Sequence, residues 1–313
     1  MKQIYFLLTM FAIAGSTACS DDKTDHPFDA PTEAKIIEYV ASDGQIIIPT
    51  SPNGFGARIL SNSYGEEVGT IKFNSVVTAI GYQAFMNCTT LQAIKIPNRV
   101  RDIEDAAFSG CTSLTEVTIP KSVTEIGDGA FAYCDNLGGF IGKFSTADNR
   151  CLVVRGSLAA FAPAGLTTYT IPDGVTEIGG SSFEGCEVLT GIALPPTLRE
   201  IDDRAFAYCL ALSSLSIPAG VTELSTSTFE GCTALQSIVL PATINEIDAL
   251  AFEGCTALQS IYCAATTPPR IAVGTFDDIA SDAVIYVPTT SLAAYQTAAA
   301  WSPYSSKIAG YEF

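Results

Sequence analysis

The chain has 313 residues, and 33 Asp and Glu against 16 Lys and Arg give it a formal net charge of −17. Phosphate recognition needs concentrated positive charge, so this balance argues against nucleic acid as a partner and against direct attraction to anionic lipid. The single histidine, His26, falls in a polar N-terminal stretch, which leaves the rest of the chain without a His-dependent triad or a His-rich metal site.

In chain order, the first element is a targeting segment. Lys2 supplies positive charge and Ile4 to Ala14 is an apolar run too short for a typical membrane span, so residues 1–18 read as a signal peptide. Gly15 to Ala18 are small and precede Cys19, an arrangement that resembles a bacterial lipobox. That resemblance implies lipidation of Cys19 as the first residue of the mature protein; an ordinary signal peptide with an incidental Cys is the alternative. Asp21 and Asp22 directly behind it resemble the surface-export signal of lipoproteins in Gram-negative anaerobes. The implied location is the outer membrane and cell surface, with acyl chains as the only membrane contact. Residues 19–34 then read as the lipidated Cys and a flexible tether.

Residues 35–75 contain strand-like runs at Ile36 to Val40, Gln45 to Pro49 and Thr70 to Phe73, expected to form an N-terminal cap. Residues 76–263 are governed by a repeat. Cys88, Cys111 and Cys134, then Cys186, Cys209, Cys232 and Cys255, follow one another at steps of 23 residues. A Phe precedes each of them, at Phe85, Phe108, Phe131, Phe183, Phe206, Phe229 and Phe252, and Phe276 marks a degenerate eighth unit. In the unit 97–119, Pro97 closes a strand and Val100 and Ile103 point inward. Ala107 and Phe108 sit on a short helical or bent segment, Gly110 permits a tight turn, and Leu114, Val117 and Ile119 form the next strand. Such a unit cannot bury its apolar face alone, so neighbours must stack on it. The expected fold is a right-handed, mostly β solenoid of 23-residue leucine-rich repeats.

The pattern Ile-Pro-x-x-Val-Thr-x-Ile-Gly-x-x-Ala-Phe-x-x-Cys-x-x-Leu, typified by residues 169–192, resembles the BspA-like leucine-rich repeat family. The resemblance implies a bacterial cell-surface protein, with some members adhering to host matrix proteins such as fibronectin and fibrinogen. It carries no catalytic residue. One interruption breaks the period between Cys134 and Cys186. There, residues 138–168 read as an inserted β-hairpin, either an elaboration of the sheet or a protrusion shaping a binding surface. Residues 264–313 read as a C-terminal cap. A strand at Ala283 to Val287 is followed by a helix at Ser291 to Trp301 with Thr290 or Ser291 as N-cap, and Ile308, Tyr311 and Phe313 anchor the tail.

Three columns invite chemistry. The Cys column reads as buried free thiols rather than disulfides, because ladder side chains point the same way, and no Cys-x-x-Cys offers zinc its usual spacing. Asp102, Glu125, Glu177, Glu200, Glu223 and Glu246 form an acidic row, and Glu184, Glu230 and Glu253 a shorter one. Both read as solvated edges, with calcium as the alternative for the first. Neither a metal nor a cofactor is expected, and no enzyme constellation stands out.

The expected ligand face is the exposed side of the strands. Its candidates are Lys95, Glu116, Thr118, Thr168, Thr170, Ser214, Ser216, Ser237, Ser260 and Tyr262. The alternative is the hairpin, with Arg150, Arg155 and Phe161. The reading is a non-enzymatic, monomeric surface lipoprotein that binds a host matrix or bacterial surface protein. The second reading is a glycan-binding accessory lipoprotein of a nutrient-uptake system. Glycan sites expose aromatic rings, and a strand face with one Tyr and no Trp favours the first.

Overall fold

The structure is a computed structural model that describes residues 33–272 and 274–313. Cys19 and the acidic residues behind it lie outside the described residues. Each coil of the solenoid contributes two strands. The longer follows the Leu of the Leu-x-x-Ile-x-Ile triplet and holds its central apolar residue, as in Glu116–Ile119, Ser214–Ser216, Ser237–Leu240 and Ser260–Cys263. The shorter holds the Glu-Ile pair, as in Glu125–Ile126, Glu200–Ile201 and Glu246–Ile247. Neighbouring coils pair in parallel with no register shift, Ser214 opposite Ser237 opposite Ser260, and Glu177 opposite Glu200. Parallel pairing at a constant period is what piles equivalent side chains into columns.

The segment between the two strands is not helical. Around Ala107 and Phe108 the backbone makes consecutive turns, and two residues four apart take left-handed conformations, such as Ala106 (φ 53°) and Gly110 (φ 73°). This geometry points the backbone at the next coil, so a third ladder forms. Phe85 N–H donates to the Ala107 carbonyl at 2.8 Å, and Phe206 N–H to that of Thr228 at 3.0 Å. A helix would have spent those groups within its own coil.

The Phe rings stack face to face along this side. Phe85, Phe108 and Phe131 form one file with centroids 5.5 and 5.2 Å apart, and Phe183, Phe206, Phe229, Phe252 and Phe276 continue a second at 5.3 to 5.7 Å. The file is interrupted at the insert. Phe131 ends edge-on against Phe140, and Phe161 opens the second file against Phe183 at 4.6 Å.

The insert explains the interruption. Cys151–Val154 and Ser157–Phe161 pair antiparallel around Arg155 and Gly156, both with positive φ, as a two-residue hairpin turn demands. Side chains alternate across a strand. The opposed pair Leu152 and Ala160 therefore enters the core of the first repeats, and the opposed pair Cys151 and Phe161 enters the core of the later ones. The hairpin is a wall between two cores, and Ser157–Phe161 also serves as the parallel partner of Glu177–Ile178.

Before the repeats, Ile36–Ala41, Ile59–Tyr64 and Gly69–Phe73 form an antiparallel sheet that joins the first long strand, Leu91–Lys95. Ile59–Tyr64 carries little apolar alternation and escapes a pattern search. Gln45 to Pro49, by contrast, is not a strand. The Ile47 backbone is held by side chains, its N–H donating to the Tyr39 hydroxyl at 3.1 Å and its carbonyl accepting from Asn62 Nδ2 at 2.7 Å.

At the other end, Val284–Pro288 and Ile308–Tyr311 extend the long-strand sheet. The expected helix is short, Leu292–Thr297. Ala298 turns extended, and the buried Trp301 indole N–H donates to the Pro269 carbonyl at 2.7 Å, pulling the chain off the helical path. Ser291 occupies the N-cap position without a side-chain capping bond. Ile308 is buried, but Tyr311 and Phe313 are 42% and 56% exposed, so the tail is anchored at one residue and not at three.

Candidate binding face

The face outside the long strands is open to solvent. Ile192, Leu215, Ile238 and Ile261 turn inward and are buried, while Thr168, Thr170, Ser214 and Ser216 are exposed and Ser237, Ser260 and Tyr262 half-buried. Hydrogen bonding divides the candidates into groups. Lys95 sits beside Glu38 of the N-terminal sheet and forms a 3.3 Å ion pair with it. Glu116 and Thr118 face Gly139 and Ile141, and Thr168 and Thr170 face Gly191 and Ala193. Ser214, Ser216, Ser237, Ser260 and Tyr262 share one five-stranded sheet. Where this sheet abuts Gly191–Ala193 lies a shallow hollow of ≈ 470 Å³ lined by residues that include Leu194, Pro196 and Pro218.

The hairpin is not a protrusion of three binding residues. Phe161 is 2% exposed and packs between Tyr169 and Phe183. Arg150 Nη1 donates to the Ala162 and Ala164 carbonyls at 3.2 and 2.8 Å, fixing the exit of the hairpin. Only Arg155, at the turn, is exposed.

The cysteines are structural. Cys111, Cys134, Cys209, Cys232 and Cys255 each donate Sγ–H to the carbonyl of the Phe in the preceding coil at 3.1 to 3.3 Å. A small apolar side chain with one weak donor suits that position. All nine described cysteines are free. Cys151 heads a chain in which its thiol donates to the Tyr169 hydroxyl and Tyr169 to Asp148. Burial pushes the thiols of Cys134 and Cys151 up to about 12, which keeps them from being thiolate nucleophiles.

The acidic columns are not alike. The longer row is in register, Asp102 with Glu125 and Glu223 with Glu246, and ends at Arg270, whose Nη2 lies 2.9 Å from Glu246 Oε1. Beside it, burial and then the charges of Glu177 and Glu200 raise the Asp202 carboxyl to about 7. Among the described residues no three Asp, Glu, Cys or His side chains gather as a metal-holding group. The shorter row is not a solvated edge at Glu184 and Glu230. Arg204 bridges them at 2.6 and 2.7 Å, Tyr133 donates to Glu184, and Tyr208 donates to Glu230. The signal sequence reasoning missed is the Tyr that replaces Gly before Cys134 and Cys209. Both tyrosines sit at positive φ, and each ring covers the Gly of the next coil, Gly185 or Gly231.

Sequence comparison accords with this geometry. The BspA type leucine rich repeat region matches residues 44–147 and 157–278 with 6 copies, leaving the hairpin's first strand unmatched. The chain belongs to the BspA-type leucine-rich repeat family. Among solved structures, a leucine rich cell surface protein from Faecalibacterium prausnitzii is similar over 67% of this chain at 29% identity, with a TM-score of 0.59. The chain spans 57% of that protein's length. The pneumococcal vaccine antigen PcpA shares the fold over 68% of this chain and 64% of its own, with a TM-score of 0.50 at 16% identity. No curated protein matches the chain. No described helix of this BspA-type chain is long and apolar enough to cross a membrane.

Proposed function

We propose that the protein is a non-enzymatic bacterial surface lipoprotein, held to the outer membrane by acyl chains on Cys19, that binds a protein partner through its long-strand face, with host matrix proteins as the partner class. The observation that carries this reading is the face itself. Every core side chain of these strands turns inward, leaving in-register columns of small side chains at strand spacing, which a flat partner can approach closely. The cell-surface description of the F. prausnitzii protein supports it. The thiols are buried and raised and Glu184 and Glu230 are engaged with Arg204, and Asp202, raised to about 7, stands among like carboxylates on the short-strand edge with no metal-holding group among the described residues.

Two measurements test this reading. Cys19→Ala should move the protein from the membrane fraction to the soluble one; unchanged fractionation defeats the lipid anchor. Protease added to intact cells should degrade the wild-type protein; protection until the outer membrane is permeabilised defeats surface display.

A further inference from the structure

Four aromatic side chains converge at the C-terminal end of the long-strand face, three of them supplied by residues beyond the last repeat. Tyr262 stacks on Tyr286 with centroids 4.8 Å apart and planes 13° off parallel. Tyr311 meets both edge-on at 5.2 and 5.6 Å, and Phe313 meets Tyr311 at 5.1 Å. Register brings Tyr262 opposite Tyr286, and on the next strand Tyr311, opposite Pro288 and two residues along on the same face, reaches back over the small Ala309 to meet both rings.

This cluster differs from most aromatics of the fold; Tyr82 is as exposed but stands apart from other rings among the described residues, and Tyr304 packs edge-on against the buried Phe276. The Phe files are buried and serve the core. The hydroxyls of Tyr39, Tyr133, Tyr169, Tyr208 and Tyr295 are committed to hydrogen bonds within the chain. Those of Tyr262, Tyr286 and Tyr311 make no such bond among the described residues, and Tyr311 and Phe313 stay 42% and 56% exposed. Rings this wet are amphipathic surfaces, with an apolar body and a free polar tip.

Charge and neighbouring chemistry narrow the occupant. The two outward columns from Ser214 and Ser216 to Val284 and Ala309 contain no charged side chain; at their C-terminal border Lys307 donates to the Ala280 and Ser281 carbonyls and Glu312 is exposed between Tyr311 and Phe313. Ser214, Ser237 and Ser260 offer hydroxyls one strand spacing apart, about 4.8 Å. A net charge of −17 repels polyanions. A neutral sugar suits this end of the face, laying the C–H face of its ring on a tyrosine and its hydroxyls on the free tyrosine hydroxyls and on Ser260 beside Tyr262.

We infer that the Tyr262, Tyr286 and Tyr311 cluster is a platform for a neutral glycan, independent of any protein partner on the rest of the face. The test is electrophoresis of the full chain, in a detergent without a sugar headgroup, through native gels containing neutral polysaccharides (starch, xylan, mannan, β-glucan) or a polyanionic one. At least one neutral gel should retard the protein and the polyanionic gel should not. Tyr262→Ala and Tyr311→Ala should each weaken that retardation about tenfold, the loss of a hot-spot contact, with unchanged melting. If Tyr262→Ala perturbs folding, Tyr311→Ala on the outermost strand carries the result. Unretarded migration in every neutral gel, or retardation that survives both variants, overturns the inference. Loss of fibronectin or fibrinogen binding in these variants without any polysaccharide retardation also overturns it and assigns the platform to a protein interface.

Discussion

The turn side and the strand side of the solenoid meet the insert differently. On the turn side two rungs of the ladder continue past it, with Gly129 N–H donating to the Gly180 carbonyl at 3.0 Å and Tyr133 N–H to that of Glu184 at 3.1 Å across 51 residues of sequence, although the Phe file breaks between them at Phe131. On the strand side Gly139–Gly142 and Thr168–Thr170 belong to different sheets, and the core is parted by the hairpin. The extra residues are therefore absorbed in the two strand layers, since Glu125–Ile126 and Glu177–Ile178 also fall in different sheets and the hairpin strand Ser157–Phe161 takes the place beside Glu177–Ile178. Left-handed turns fix the path of each coil and tolerate no insertion, whereas a strand layer can take in a hairpin because its edges accept one more strand.

The largest expected effect separates the two cores. Phe206, buried between the rings of Phe183 and Phe229, should cost about 3–5 kcal/mol when replaced by Ala, read as a shift in chemical denaturation. Phe161→Ala should lower hydrogen-exchange protection in residues 171–263 and leave 79–119 protected. Equal loss in both regions would show that the hairpin is not a wall. Next in size is the bridge on the turn side. Arg204→Met leaves Glu184 and Glu230 without their cation and should cost about 1–3 kcal/mol, discounted because Arg204 is partly solvated. An unchanged midpoint would make the bridge ornamental.

Gly231→Ala should cost about 1–2 kcal/mol, since φ is 70° there and a Cβ would lie 2.7 Å from the Tyr208 ring. Tyr208→Gly should recover part of that loss in the double variant; simple additivity would deny the ring-on-glycine contact. The smallest effect is on the short-strand edge. The Asp202 carboxyl is raised in the folded state from 3.8 to about 7, so the stability it confers is complete below about pH 4 and lost as pH rises through 7. Asp202→Asn should raise the melting temperature relative to wild type at pH 8 and leave it nearly unchanged at pH 4. The reverse order would mean that Asp202 is paired with a cation.

The repeat was legible because every coil repeats its core letters at one period. Phe108, Cys111, Leu114 and Val117 are read off the string, and the in-register strands follow. The hairpin was legible from Arg155-Gly156 between apolar runs, but not that its two faces serve two cores, since alternation does not say what lies on either side. The ladder formed by the turns was illegible because left-handed residues such as Ala106 and Ser227 carry no Gly or Asn signature. Ile59–Tyr64, an ordinary strand paired to Gly69–Phe73, was missed because it carries little apolar alternation, and the run at Ile47 was misjudged because the side chains of Tyr39 and Asn62, not a neighbouring strand, satisfy that backbone. On the face, the columns were readable. The aromatic cluster was not, because Tyr286, Tyr311 and Phe313 join Tyr262 only once the last two strands are placed.

The central claim is that the long-strand face does the binding. It is tested by measuring binding of the full chain to immobilised fibronectin and fibrinogen with an Arg placed on either side of one coil. Ser237→Arg, on the face, should abolish binding, and Thr233→Arg, exposed at the turn beyond Cys232, should leave it intact. Binding that survives Ser237→Arg, that is lost equally in both, or that is absent from the wild-type chain contradicts the account.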